Sequence, residues 1–154
     1  MLTNQKFIVL DSETDGLAYD CTKIWILGWT EDGKTYNTTT NYDEMRELLS
    51  QDALFVCHNG VQFDMVVFNR ILDLNLTYKK FVDTLALSWY LFPDRAKHGL
   101  ESWGDTVGVK KVAVDNEQWA EGDTELMKSR VSEDVKINWK VWELMRKRLE
   151  EIYG

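Results

Sequence analysis

A chain of 154 residues, 44% apolar and 29% charged, suits one compact soluble domain spanning 1–154 with room for a real core. No apolar run approaches the ~18 residues of a bilayer span, and no basic segment leads into an apolar signal core at the N-terminus. The net charge of −8 argues against gripping long duplex by electrostatics alone, but not against a site whose clustered carboxylates hold divalent cations.

In chain order, Lys6 to Leu10 is a short apolar, β-rich run ending at Asp11, followed by the turn formers Thr14-Asp15-Gly16. Ile24 to Trp29 and Thr35 to Thr39 flank Glu31-Asp32-Gly33-Lys34, a hairpin signal. Tyr42 to Leu49 reads as a helix capped by Asn41, Ala53 to Cys57 as a buried strand, and Phe63 to Leu72 as an amphipathic helix. Thr84 to Leu91 and Leu100 to Val107 read as shorter helices around a break at Pro93. From about Asp123 to Ile152 the pattern is helical, with Val135, Trp139, Trp142 and Met145 on an apolar stripe. This order predicts an α/β fold, a mixed central sheet flanked by helices, with a crevice at the strand ends. Cys21 and Cys57 are too few for a disulfide framework; Cys57 reads as a buried thiol, which fits a reducing cytoplasm. The basic clusters Lys79-Lys80, Arg95 to Lys97, Lys110-Lys111 and Lys128 to Arg130 each read as solvated surface.

The acids carry the chemistry. Asp11 and Glu13 stand at i and i+2 at the end of the first strand, so both project from one face. Two adjacent carboxylates repel unless something positive lies between them, and hard oxygen ligands suit Mg²⁺ or Mn²⁺. A polar turn after a strand would explain the pair equally well. Asp64 opens a helix, where a carboxylate complements the dipole. Asp134 lies inside the last helix, a poor position for Asp by propensity, and shares a face with Arg130.

The segment Asp11-Ser12-Glu13-Thr14-Asp15-Gly16-Leu17 resembles the first motif of the DEDD (DnaQ-like) 3′–5′ exonucleases. His58-Asn59-Gly60 through Phe63-Asp64 resembles their second motif, and Glu133-Asp134-Val135 their third. Asp83-Thr84-Leu85 is similar to the Asp-Thr pair that usually follows the second, and we read Asp83 as structural support. His98-Gly99-Leu100-Glu101-Ser102-Trp103-Gly104 further resembles the proofreading domains of family A DNA polymerases from short-tailed phages.

The resemblance implies a ribonuclease-H-like fold and hydrolysis by two divalent cations, Mg²⁺ or Mn²⁺, at Asp11, Glu13, Asp64 and Asp134, releasing nucleoside 5′-monophosphates. Asp11 would serve both cations, Glu13 and Asp134 the first, and Asp64 the second. Leu17 would wedge against terminal bases, Phe63 pack on the last sugar and Asn59 position the terminal nucleotide. The implied substrate is a single-stranded 3′ end of DNA, with a separate DNA polymerase as a partner and no membrane. Family members also carry a tyrosine four, or a histidine five, positions before the last aspartate. Here Arg130 and Ser129 stand there, and neither is a competent base. Arg130 is left as a substitute at that position or a phosphate contact, and His98 as a residue that a loop could bring in. The alternatives are a catalytically silent module that binds 3′ ends or assists a polymerase, and an exonuclease on RNA or short oligonucleotides.

Overall fold

The computed structural model describes residues 4–109 and 124–154; Lys110-Lys111 and Asp123 lie outside them. The strands are β1 (Phe7–Thr14), β2 (Ile24–Thr30), β3 (Asn37–Thr39), β4 (Leu54–Cys57) and β5 (Phe81–Asp83). The helices are α1 (Tyr42–Leu49), α2 (Asp64–Ile71), α3 (Thr84–Leu91), α4 (Leu100–Val107) and α5 (Thr124–Tyr153), with a 3₁₀ turn at Tyr78–Lys80 before β5. The strands form one sheet in the order β3-β2-β1-β4-β5. β1, β2 and β3 pair antiparallel, whereas β4 and β5 add to β1 in parallel. This is the mixed sheet expected from the sequence, with β5 as a strand the sequence does not announce. Three residues are too few for a periodic pattern, and β5 exists because the open edge of β4 supplies its hydrogen bonds.

Alternation along β1 divides the core. Ile8 and Leu10 face one layer, where Met45, Leu48 and Leu49 of α1 and Val67 and Phe68 of α2 close over them. Phe7 and Val9 face the other, against Leu91 of α3, Trp103 of α4 and Val135, Val141 and Trp142 of α5. Both cysteines are buried free thiols. Asn41 caps α1 by accepting from Glu44 N at 3.0 Å, as its residue type predicts.

α5 can lie close to the sheet because β2 carries Gly28 there. A Cβ at Gly28 would stand 3.0 and 3.1 Å from the two methyl carbons of Val131. Gly28 pairs with Asp11 in the β1–β2 ladder, so the contact that admits α5 also sets the helix beside the end of β1. The C-terminal ends of the parallel strands β1, β4 and β5 share one edge of the sheet, and the acids gather there.

Candidate active site

Alternation also decides where each acid of β1 goes. Asp11 and Glu13 share the face covered by α5, and Asp134 of that helix joins them: one oxygen from each of the three lies within 4.8 Å of the others. Ser12 points to the opposite face and donates its hydroxyl to Asp64 Oδ1 at 2.6 Å, at the first residue of α2. Asp64 lines the same pocket as the other three acids but is anchored separately. The geometry is therefore a group of three carboxylates with a fourth to one side.

The pocket is open, about 280 Å³ in volume, and its floor is acidic. Asp64 is 2% and Asp134 7% exposed. Burial pushes the Asp11 carboxyl well above the ordinary carboxylate range, and the charges of Asp134, Glu13 and Asp64 add to that push. Burial also raises Asp64 from an ordinary 3.8 to about 7, against the pull of the Ser12 hydrogen bonds and with help from the Asp83 charge. Cys57, beneath the pocket, is raised too, by burial first and then by Asp64, Asp11 and Asp83. Such a cluster resists ionisation unless a cation offsets it.

The donor set fits hard divalent cations. Ligands on opposite sides of one cation at about 2.1–2.4 Å stand about 4.2–4.8 Å apart, so three oxygens that all lie within 4.8 Å of one another are close enough to share one. Asp11 Oδ2 is buried and accepts no hydrogen bond, an arrangement that costs about 1–3 kcal/mol unless a cation or another donor satisfies it.

The turn after β4 forms another wall. Asn59 takes a left-handed conformation, φ 63°, and its N–H donates to Asp83 Oδ1 at 2.8 Å. The same Asp83 oxygen caps α3 by accepting from Leu85 N at 2.9 Å; Asp83 is a clamp between the turn and the helix. Gly60 closes the turn so tightly that a Cβ there would meet Cys57 Cβ at 2.2 Å. Asn59 and the half-buried Phe63 both line the pocket, as do Thr14 and Gly16.

Leu17 does not line it. It is 71% exposed on a braced loop: Asp15 accepts from Thr22 N at 2.7 Å and Lys23 N at 3.0 Å, Asp20 accepts from Leu17 N at 2.8 Å, and Arg70 Nη1 holds Ala18 O at 2.8 Å. A large apolar side chain held out on a fixed loop beside the Gly16 wall is not capping the core. Arg130 is half-buried one turn before Asp134 and is not among the pocket-lining residues. His98 is 4% exposed, its Nδ1 2.5 Å from Ser88 Oγ and its ring stacked on Trp89; it too stands outside the pocket, locked between α3 and α4. Two pocket residues carried no role in the sequence reading, Ser12 and His58. Their signal was position alone, between the two acids of β1 and directly after β4.

No family model matches the sequence, and comparison with curated proteins finds no match. Solved structures do match. NrnC of Brucella melitensis aligns with TM-score 0.73 and 17% identity over 96% of this chain and 76% of that one. The same protein with bound Mg²⁺ and bound to pGG aligns at TM-score 0.71 in each case. Escherichia coli exonuclease I in complex with a dT13 oligonucleotide aligns with TM-score 0.66 and 12% identity over 97% of this chain and 43% of that one. The EXO domain of Aedes aegypti Nibbler aligns with TM-score 0.65 and 13% identity over 99% and 83%. What the chain shares with these structures is the fold: a ribonuclease-H-like mixed sheet between two helical layers.

Proposed function

We propose that the chain is a metal-dependent 3′–5′ exonuclease that removes nucleoside 5′-monophosphates from single-stranded 3′ ends of DNA. The observation that carries this reading is the convergence of Asp11, Glu13 and Asp134 within 4.8 Å, with Asp64 in the same pocket. Asp11, Glu13 and Asp134 would hold one divalent cation, and Asp64, oriented by Ser12, would hold a second together with Asp11. When bound, the pair supplies charge stabilisation to the phosphodiester and activates water for in-line attack. Phe63 and Asn59 seat the terminal nucleotide, and Leu17 meets its base from the braced loop. Stacking and backbone contacts of this kind handle a strand end without reading its sequence. The fold likeness to exonuclease I with dT13 supports a single-stranded substrate, and NrnC with Mg²⁺ supports the metal.

A second reading, an exonuclease on short oligonucleotides or RNA, draws on the net charge of −8 and on the likeness to NrnC bound to pGG. A protein of net negative charge grips long nucleic acid weakly. The polymerase partner rests on the residues 98–104 resemblance alone.

The test is incubation of 5′-labelled single-stranded DNA, RNA and dinucleotides with Mg²⁺ or Mn²⁺. The expected result is shortening from the 3′ end, stopped by EDTA and reduced at least about a thousandfold by Asp11→Ala. Intact substrate alongside metal-dependent binding would establish the silent module instead.

A further inference from the structure

β2 enters the sheet through a bulge beside the acids. Ile24 pairs with Thr14 and Ile26 with Glu13, which leaves Trp25 as an extra residue between them. Ile24 packs in the layer of α1 and α2, whereas Ile26 packs on Met127 and Val131 of α5. Trp25 joins Ile26 on that second face instead of alternating to the other. A bulge re-aims a side chain in this way. The half-buried Trp25 ring is thus set beside Glu13, on the face of the sheet covered by α5.

Lys23 Nζ stands 3.9 Å from the centre of that ring. The Lys23 backbone is fixed at both of its polar groups: its N–H donates to Asp15 Oδ1 at 3.0 Å, and its carbonyl accepts from Asp15 N at 3.3 Å. These bonds close the braced loop that also holds out Leu17, so both side chains stand on one support. The Lys23 side chain is exposed, and its ammonium pairs with no carboxylate among the described residues. An ammonium seated on a ring face keeps N–H donors directed away from the ring.

Topology gives this charge its place. β2 runs antiparallel to β1, so Lys23, before β2, stands at the edge of the sheet where the acids gather. Lys6, before β1, and Lys34, after β2, fall at the opposite edge, as do Lys79 and Lys80 before β5. Arg70, which reaches the same loop, holds the carbonyls of Ala18 and Cys21. A nucleic-acid end brings one negative phosphate per nucleotide to this acidic edge. Cations held by the carboxylates serve the scissile phosphate; the phosphates behind it need a charge from the protein itself.

We propose that Lys23, seated on Trp25, is a substrate-binding residue whose ammonium holds a phosphate just upstream of the scissile one. This rests on the nuclease reading of the acidic pocket. A contact of this kind positions the strand and carries no base preference. It holds substrate and transition state alike, so its loss is read in KM rather than in kcat.

The test compares wild type, Lys23→Ala, Lys23→Gln and Lys23→Arg on 5′-labelled single-stranded DNA in Mn²⁺, with kcat and KM measured over a range of salt and Tm alongside. A second substrate set carries one uncharged methylphosphonate, at the first, second or third linkage upstream of the scissile one. The Ala and Gln variants are expected to raise KM about tenfold with kcat and Tm unchanged, and Lys23→Arg to restore most of the affinity. In the Ala and Gln variants the dependence of log KM on log salt should fall by about 0.7. One methylphosphonate position should raise the wild-type KM by a similar factor and add nothing further in Lys23→Ala. An unchanged KM and salt slope in Lys23→Ala, effects that add at every linkage, or a KM loss that follows Tm overturns the contact while leaving the nuclease intact. A wild type that cuts no strand removes the nuclease reading, and this role for Lys23 with it.

Discussion

Asp64 and Asp11 make the metal-free protein sensitive to pH in an unusual direction. Both carboxyls are raised above their ordinary values, Asp64 to about 7 and Asp11 well upward. The folded state therefore binds more protons than the unfolded chain above pH ~4, and stability falls as pH rises. The contribution of these groups is fully present below their ordinary carboxylate range and is lost as pH passes through about 7 for Asp64, and beyond for Asp11. Thermal melts in EDTA should show Tm declining between about pH 5 and 8, with Asp11→Asn flattening the slope. A Tm that rises over that window would contradict the crowding of these acids. Leu17 tests the substrate side at the same scale. Its side chain is exposed and outside both core layers, so Leu17→Ala should leave Tm unchanged while raising KM for single-stranded ends several-fold. A fall in Tm would assign it to packing instead.

At the level of elements, the site depends on how closely α5 lies on β2. Gly28 admits Val131, and Asp134 follows Val131 by one turn on the same helix. Gly28→Val should cost about 1–3 kcal/mol in denaturant melts through overpacking and weaken Mn²⁺ binding, because the displaced helix carries Asp134. Retained metal affinity would mean that α5 holds Asp134 in place by its other contacts. The turn from Cys57 to Gly60 has a different construction, clamped to α3 through Asp83 rather than packed by apolar side chains. Such a clamp fixes His58 and Asn59 without filling the pocket.

For the whole molecule, metal and fold should be linked. A cation held by the native cluster and not by the unfolded chain stabilises by about 2.7 kcal/mol at a hundredfold excess over its Kd. For a domain of this size Mn²⁺ should then raise Tm by about 5–10 °C, reversed by EDTA and absent in Asp11→Ala. An unchanged Tm at saturating Mn²⁺ would argue against a cation at the cluster. The acidic charge adds that binding of long single strands should be weak and should depend little on salt compared with basic nucleases. No helix among the described residues is long and apolar enough to cross a membrane.

Much of the architecture follows from local physics that sequence displays. Period-two alternation set Asp11 and Glu13 on one face, the turn formers at 31–34 implied the hairpin, and long amphipathic periodicity marked α5. Local patterns could not reveal what depends on residues far apart in the chain. The strand at Phe81–Asp83 needed the edge of β4. The separation of Asp64 from the other three acids needed Ser12 on the far face of β1. The sequence offered His98 as the histidine a loop could bring in, yet packing locked it between α3 and α4, and it is His58 that stands at the pocket wall. A side chain's direction within an element is set by backbone geometry a few residues away, whereas its partners are set by which elements the core brings together.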